Sequence, residues 1–261
     1  MTFDGEVIAI TGGASGIGYA TAERVVQQGG RVAIIDYRDG TAVEAARRLD
    51  PDGDKAFGVT ADVTEATAIR AALENALERY GRFDGVVTCA GIRQASARIA
   101  DMTLETWEGI LKVDLTGTFL TCQAAAQILR RTRTAGSIVN VSSLSGHSPR
   151  LGQAAYCAAK AAVISLTKVL ALELADIKAR VNVVCPGTAI TPFNSEALKR
   201  EGEQGVQARI EGDTKQFRPG IPLRRLAEAR DIAEPIVFLL SNASRHITGA
   251  ELFIDGGESV F

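Results

Sequence analysis

Short apolar segments alternate with longer segments of helical period along most of the chain. Several apolar segments are hydrophobic throughout rather than at every second position, which is typical of parallel strands covered by helices on both faces. The predicted strands are EVIAIT (6–11), RVAIID (31–36), AFGVTAD (56–62), DGVVTCA (84–90), GSIVNVS (136–142), RVNVVCP (180–186) and ELFIDGG (251–257). The predicted helices span 17–28, 65–80, roughly 104–131, 155–175 and 229–240. This order predicts an α/β fold, a doubly wound parallel sheet of seven strands flanked by helices on both faces.

Residues 192–226 interrupt this alternation. The segment is polar, with helix-like pieces (SEALKREGEQGVQARI) followed by FRPGIPL. A segment of this length inside a compact fold is usually a lid, a partner-binding feature or a mobile loop. We expect a substrate lid within a single domain that spans 1–261, because no linker, repeat or low-complexity stretch marks a boundary.

Composition excludes several classes of protein. The 261 residues are 46% hydrophobic and 23% charged, with a net charge of −2, which gives no reason to expect a nucleic-acid partner. We see no signal peptide in MTFDGEVIAITGG and no apolar run near the ~20 residues that span a bilayer. The four cysteines are widely spaced, which favours free thiols over disulfides or metal ligands: Cys89, Cys122, Cys157 and Cys185. We therefore expect a cytoplasmic protein with no membrane or metal partner.

A glycine-rich stretch, TGGASGIG (11–18), connects the first predicted strand to the first helix. Glycines at 12, 16 and 18 permit a tight turn, close approach of the backbone to a pyrophosphate, and helix–strand packing, as in Rossmann-type dinucleotide sites. Asp36 ends the second strand, where a carboxylate accepts hydrogen bonds from the ribose hydroxyls of NAD and repels the extra phosphate of NADP. Arg38 is suited to that phosphate, but it follows the acidic residue rather than replacing it. The pattern favours NAD.

Tyr156 and Lys160 are four residues apart in SSLSGHSPRLGQAAYCAAK (142–160). On a helix such residues share one face. A neighbouring ammonium lowers the pKa of a phenol from its unperturbed value of about 10. We therefore expect Tyr156 to serve as a base near neutral pH.

Together these motifs resemble the short-chain dehydrogenase/reductase family over essentially the whole chain. The matching pieces are TGGASGIG, Asp62–Val63, CAG (89–91), Ser143, the YxxxK of Tyr156 and Lys160, PGTAITP (186–192) and IDGG. The resemblance implies that Tyr156 exchanges a proton with the substrate oxygen and that Ser143 holds this oxygen. It implies that Lys160 binds the nicotinamide ribose and tunes Tyr156.

The resemblance also implies a set of cofactor contacts. Asp62 and Val63 would contact the adenine, and Ala189 and Thr191 would hold the carboxamide. The complete predicted set for NAD is Gly12, Ser15, Gly16, Ile17, Gly18, Asp36, Asp62, Val63, Cys89, Ala90, Gly91, Tyr156, Lys160, Pro186, Gly187, Ala189 and Thr191.

Two positions depart from the family pattern. Asp114 stands where the family usually has an asparagine that supports a water-mediated proton relay through the lysine. An ionised Asp114 would favour the charged lysine and a protonated one would mimic asparagine; the sequence leaves both open. Thr88 replaces an asparagine that ties the central sheet together, for which we expect a cost in stability.

Five stretches of the second half are SGHSPRLGQAAYCAAKAA, LELA, NVVCPG, QFRPGIPL and SRHITGAELFIDGG. They resemble one branch of the family, the 2,3-dihydro-2,3-dihydroxybenzoate dehydrogenases of siderophore biosynthesis. This implies a small-molecule substrate, a carboxylated cyclohexadiene diol. Arg150 and Arg93 are candidates for binding its carboxylate. His147, in the same loop as Arg150, is a further candidate for facing the substrate. The alternatives are that Arg150 is an ordinary surface charge and that His147 has a structural role.

Other functions stay open. The chain could be a generic NAD(P)-dependent ketoreductase, such as a 3-oxoacyl thioester reductase, or a dinucleotide sensor without catalysis. Family analogy implies a homotetramer, and Ala-rich segments (QAAAQ, AAYCAAKAAV) are compatible with close helix pairing.

Overall fold

Seven parallel strands form the central sheet of the computed structural model, which describes residues 2–260. In chain order they are β1 (Val7–Thr11), β2 (Arg31–Asp36), β3 (Ala56–Thr60), β4 (Gly85–Thr88), β5 (Ser137–Val141), β6 (Arg180–Pro186) and β7 (Glu251–Ile254). Their order across the sheet is β7-β6-β5-β4-β1-β2-β3, and all neighbours pair in parallel. The predicted seven-stranded parallel sheet is confirmed, with somewhat shorter strands than the apolar runs suggested.

Helices cover both faces of this sheet. Within residues 2–260 they are α1 (Gly16–Gln27), α2 (Thr41–Leu49), α3 (Ala66–Tyr80), α4 (Leu104–Leu111), α5 (Thr118–Thr132), α6 (Ala154–Glu173), α7 (Pro192–Glu211) and α8 (Ala229–Leu240). Short 3₁₀ turns occupy Ile99–Asp101, Leu144–Gly146, Ala175–Ile177, Thr214–Gln216, Asn242–Ser244 and Glu258–Val260. The sequence analysis missed α2. Its buried side chains are alanines (Ala42, Ala45 and Ala46), which give only a weak hydrophobic period.

The apolar core is divided by the sheet. Along β1, Val7 and Ala9 belong to one cluster and Ile8 and Ile10 to the other. The first cluster contains residues of α3 and α5, and the second contains residues of α1, α2 and α8. Because both faces of each central strand are buried, the strands are apolar at consecutive positions.

The predicted helix over 104–131 is interrupted by one π-helical stretch. α4 continues through Lys112–Gly117, which is π-helical, into α5. Such wide turns occur frequently at functional sites. This one contains Asp114, whose side chain is fully buried.

The predicted lid is mainly helical. Most of it is α7, which is kinked at Gly202, where φ is 64°. A short antiparallel pair follows, Gly212–Asp213 with Arg218–Pro219. A second short pair, which is parallel, connects the residues just before the segment with those just after it: Ala189–Ile190 with Ala227–Glu228.

One helix meets the length and composition of a membrane span, contrary to the sequence analysis. α6 has a mean hydropathy of 1.5 over its most apolar window. However, it contains buried Lys160, and Val163 and Ile164 pack on Val183 of β6. We therefore assign α6 to the core of the fold.

Candidate active site

Two cavities in the described part of the chain open where the strands of the sheet end. The first measures about 520 Å³ and is lined by the glycine-rich loop and by residues that follow β2, β4, β5 and β6. The carboxyl ends of parallel strands are the usual position of ligand sites in such sheets.

Two glycines of the TGGASGIG loop are required by its geometry. A Cβ at Gly18 would lie 2.4 Å from the carbonyl oxygen of Gly12. At Gly12, where φ is 63°, a Cβ would lie 2.8 Å from Cα of Ala90. Ser15, which precedes α1, makes no side-chain hydrogen bond to its first turn. The first N–H groups of α1 therefore remain available to phosphate oxygens, and the loop fits a dinucleotide.

All of the predicted cofactor residues line this first cavity. Asp36 is 6% exposed and accepts hydrogen bonds from the backbone N–H of Arg38 at 3.4 Å and from its Nε at 3.3 Å. Arg38 therefore orients the carboxylate at this end of the cavity. The sequence analysis did not assign Ile35, Tyr37, Ala61, Ile92, Val113, Val141, Ser142, Pro192, Phe193 and Asn194, which also line it. Most of these are direct neighbours of assigned residues, which was the available signal.

Helix α6 brings Tyr156 and Lys160 together, as their spacing predicted. The Lys160 Nζ atom lies 5.6 Å from the centre of the Tyr156 ring. It donates a hydrogen bond to the carbonyl oxygen of Val141 at 3.2 Å. Ser143 lies just beyond the end of β5, and its Oγ accepts a hydrogen bond from the Ser145 backbone at 3.1 Å. All three residues line the first cavity.

The expected acidification of Tyr156 is wrong for this structure. Burial raises the pKa of the Tyr156 phenol, Lys160 lowers it, and Asp114 raises it, with a net increase. Lys160 lies beside Tyr156 as predicted. However, the desolvation of the phenol raises its pKa more than the positive charge of Lys160 lowers it, and the carboxylate of Asp114 partly offsets the effect of that positive charge.

Asp114 forms an ion pair with Lys160. Its Oδ1 lies 3.1 Å from Nζ of Lys160, and its Oδ2 accepts a hydrogen bond from the Ile92 backbone at 3.1 Å. Among the described residues, no donor makes a hydrogen bond of acceptable geometry to Oδ1, so its contact with Lys160 is an ion pair without a hydrogen bond. Burial lowers the pKa of Lys160, but Asp114 and Tyr156 raise it more, so the net pKa is raised and the lysine keeps its charge. The structure thus places the carboxylate of Asp114 in direct contact with the charged lysine.

The position of Thr88 is supported by a neighbouring strand. Thr88 donates a hydrogen bond to Oδ1 of Asn140 at 2.8 Å, and Nδ2 of Asn140 donates to Oγ1 of Thr167 at 2.9 Å. Asn140 in β5 therefore ties β4 to α6. The stability cost that we expected from Thr88 stays a prediction.

Gln94 is a positioning residue that the sequence analysis missed. It is 3% exposed, and its Oε1 accepts a hydrogen bond from the Tyr156 N–H at 3.0 Å. Its Nε2 donates to the Gly152 carbonyl at 3.0 Å. Gln94 therefore satisfies an N–H in the first turn of α6 and fixes the start of the helix that carries Tyr156. No local sequence motif indicates this contact, which joins residues 62 positions apart.

The second cavity, of about 420 Å³, adjoins the first at Ser143 and Tyr156. Arg93 and Arg150 line it, as predicted for substrate residues. His147 does not: it stacks edge-on against Phe253, and its Nδ1 lies 3.9 Å from Glu251. Of the two roles considered for His147, the structure therefore supports the structural one over contact with the substrate, because β7 packs against this side of the loop.

Comparisons with known proteins agree with this geometry. The family model described as enoyl-(acyl carrier protein) reductase matches residues 12–259. The chain is 40% identical to 2-(S)-hydroxypropyl-CoM dehydrogenase 3 of Xanthobacter autotrophicus, over 97% of this chain and 96% of the relative. It is 34% identical to 2,3-dihydro-2,3-dihydroxybenzoate dehydrogenase of Bacillus subtilis, over 98% and 97%. Its structure is similar to that of 3-ketoacyl-(acyl-carrier-protein) reductase from Brucella melitensis complexed with NADH, with a TM-score of 0.87, 31% identity, and coverage of 99% and 100%.

Proposed function

The chain is an oxidoreductase of the short-chain dehydrogenase/reductase family, and we propose that it uses NAD to oxidise a secondary ring alcohol that carries a carboxylate. The substrate we propose is 2,3-dihydro-2,3-dihydroxybenzoate or a close analogue. One observation carries the proposal: Tyr156 and Ser143 lie at the junction between the cavity lined by the glycine-rich loop and a second cavity rich in arginine.

The chain's own residues supply the proton chemistry. Tyr156 takes the proton of the substrate hydroxyl, and Ser143 holds the same oxygen in place. Lys160 stabilises the phenolate electrostatically, and its Nζ is fixed by Val141 and Asp114. The residues that line the first cavity would hold NAD, which would supply the hydride acceptor for the carbon that bears this hydroxyl. In a cyclohexadiene diol the resulting dienone tautomerises to an aromatic phenol, which favours oxidation.

Asp36 supports NAD rather than NADP. A nearly buried carboxylate at the end of β2 would repel a 2′-phosphate and accept hydrogen bonds from ribose hydroxyls. Arg38 is held by Asp36 and exposes about half of its side chain. Arg38 is the residue that a 2′-phosphate would contact if NADP were used.

The test is a spectrophotometric screen for formation of reduced cofactor with NAD and with NADP. The substrates are the carboxylated cyclohexadiene diol, the same diol without the carboxylate, and 2-hydroxypropyl-CoM; reduction of a 3-oxoacyl thioester is the reverse assay. We expect the highest kcat/KM with NAD and the carboxylated diol. A preference for the neutral diol, the CoM conjugate or the thioester would refute the proposed substrate. Absence of turnover with all of them, despite NAD binding, would favour the dinucleotide-sensor alternative.

We also propose that the protein is a homotetramer of the cytoplasm. The support is an exposed apolar set on helices α4 to α6: Leu104, Trp107, Phe119, Val169 and Leu172. Pairing of these helices across a two-fold axis would cover such side chains. A monomer in sedimentation at micromolar concentration would contradict the tetramer. The cytoplasmic assignment is supported by the four cysteines, all of which have free thiols, and cell fractionation tests it.

A further inference from the structure

The second cavity concentrates positive charge beside Tyr156. Among the described residues, its lining includes the side chains of Arg93, Arg150, Arg200, Arg209 and Arg218. The carboxylates of the lining are Glu201, Asp213 and Glu258. The cavity therefore has more cationic than anionic side chains, although the net charge of the chain is −2. Gathering like charges in a partly desolvated space costs free energy unless an anion balances them.

Three of these arginines are already paired with carboxylates. Arg209 forms a two-point contact with Glu201, with its Nε 2.5 Å from Oε2. Arg150 and Arg218 share one oxygen of Glu258, at 2.6 and 3.2 Å. Glu258 is 1% exposed, so this three-residue cluster holds the loop before Tyr156 to the end of the chain. Arg150, the first candidate for substrate binding, is therefore held in an ion pair with Glu258, whose single negative charge it shares with Arg218.

Arg93 and Arg200 are differently placed. The Arg93 Nη1 donates a hydrogen bond to the neutral side chain of Asn194 at 2.7 Å. Neither Arg93 nor Arg200 forms an ion pair with a carboxylate among residues 2–260. Burial lowers the pKa of Arg93, and the charges of Arg209 and Arg200 lower it further, whereas Glu201 and Tyr156 raise it. Arg93 is thus a half-buried cation close to both Arg200 and Tyr156.

We propose that the anionic group of the substrate binds between Arg93, on the loop after β4, and Arg200, on α7, while Arg150 positions the loop through Glu258. The ligand is an anion with several oxygen acceptors, for which the planar guanidinium fork is suited. Since the two arginines lie on opposite elements, the bound anion joins α7 to the loop beside the catalytic residues. This inference rests on the proposed function only in taking the substrate as the ligand.

Equilibrium binding tests the site without turnover. Calorimetry on the NAD-saturated protein would compare 2,3-dihydroxybenzoate, the corresponding catechol sulfonate, and neutral catechol. The variants are Arg93→Gln, Arg93→Lys and Arg200→Gln, with Arg98→Gln as the matched control. Arg98 is exposed, lies on the same loop as Arg93 and lines neither cavity.

We expect Arg93→Gln and Arg200→Gln each to weaken binding of the carboxylate about ten- to a hundredfold, because each removes charge-assisted hydrogen bonds. Catechol affinity should stay the same, Arg93→Lys should recover part of the loss, and Arg98→Gln should have no effect. A stronger response of the sulfonate than of the carboxylate would support the site but identify a sulfonate-bearing substrate. Because Arg200 is exposed, its variant still reports on the site if Arg93→Gln disturbs the fold.

Two results would overturn the inference. One is wild-type protein that binds the anions no more tightly than catechol. The other is loss of anion binding in an Arg150→Gln variant that keeps its thermal stability, with Arg93 and Arg200 variants unaffected. The proposed function fails separately: if the acid binds through Arg93 but no ring diol is oxidised, the anion site stands and the substrate is wrong. If the diol is oxidised but Arg93→Gln affects acid and neutral diols equally, the reaction stands and the anion site is wrong.

Discussion

Replacing Asp114 with asparagine removes one negative charge beside the catalytic lysine and keeps the shape of the side chain. The amide oxygen of asparagine can still accept the hydrogen bond from the Ile92 backbone, which Asp114 accepts at 3.1 Å. The difference between the two proteins is therefore mainly electrostatic. In the substituted protein the charge of Lys160 is no longer paired and acts more strongly on Tyr156.

The structure gives the size of this effect. With Nζ 5.6 Å from the ring centre of Tyr156, an effective dielectric constant of about 20 gives an attraction between Lys160 and the phenolate of about 3 kcal/mol, or about two pH units. Asp114 acts on Tyr156 in the opposite direction and more weakly than Lys160. Its removal should therefore lower the pKa of Tyr156, by less than the contribution of Lys160.

Alcohol oxidation needs the phenolate, so activity rises with pH through the pKa of Tyr156. The rising limb of kcat/KM for Asp114→Asn should lie at lower pH than that of the unsubstituted protein, by less than about two pH units. An ultraviolet difference titration against Tyr156→Phe would follow the same ionisation without turnover, and thermal unfolding would report any loss of folding stability. An unchanged profile, or one displaced to higher pH, would refute the assigned electrostatic role of Asp114.

Three further predictions concern the same site. Tyr156→Phe should lower kcat about 10²- to 10⁴-fold, because only proton transfer is lost; calorimetry should show unchanged NAD affinity, and near-normal turnover would exclude Tyr156 as the base. Asp36→Ala should weaken NAD binding by about one to two orders of magnitude and bring NADP closer to NAD, whereas wild-type protein that binds both equally would contradict the role of Asp36. Gln94→Ala should lower the free energy of unfolding by about 1–3 kcal/mol, because the buried N–H of Tyr156 loses its acceptor. Denaturant unfolding measures this loss, and equal stability of Gln94→Ala and wild-type protein would argue against the cap.

Much of the fold follows from local physical chemistry that the sequence displays. Consecutive apolar residues in the strands indicated burial on both faces, and the period of the long helices indicated the layers that cover them. The glycines at 12 and 18 are required by steric contacts within the loop or with the adjacent turn after β4. Tyr156 and Lys160 are brought together by the helical repeat alone, so their proximity was predictable before any tertiary contact was known.

Other features depended on packing between distant segments. The buried face of α2 consists of alanines, whose small side chains give no clear hydrophobic period in the sequence. The same small face lets α2 lie against Gly58 of β3, where a Cβ would lie 2.2 Å from the helix backbone. The sign of the pKa shift at Tyr156 was mispredicted, because the spacing of the lysine contains no information on burial or on Asp114.

The substrate side of the site was decided by tertiary structure. Arg150 and Glu258 are 108 residues apart in the sequence but form an ion pair in the fold. Arg150 therefore contacts the segment after β7 rather than standing unpaired in the cavity. Arg93 and Asn194 meet across 101 residues. A local pattern determines which side chains share a helix face or a strand face, since that depends only on the backbone repeat. Which charges are neutralised and which remain to bind an anion depends on the path of the whole chain, because Coulomb energies are set by distances and solvent exclusion in the folded state.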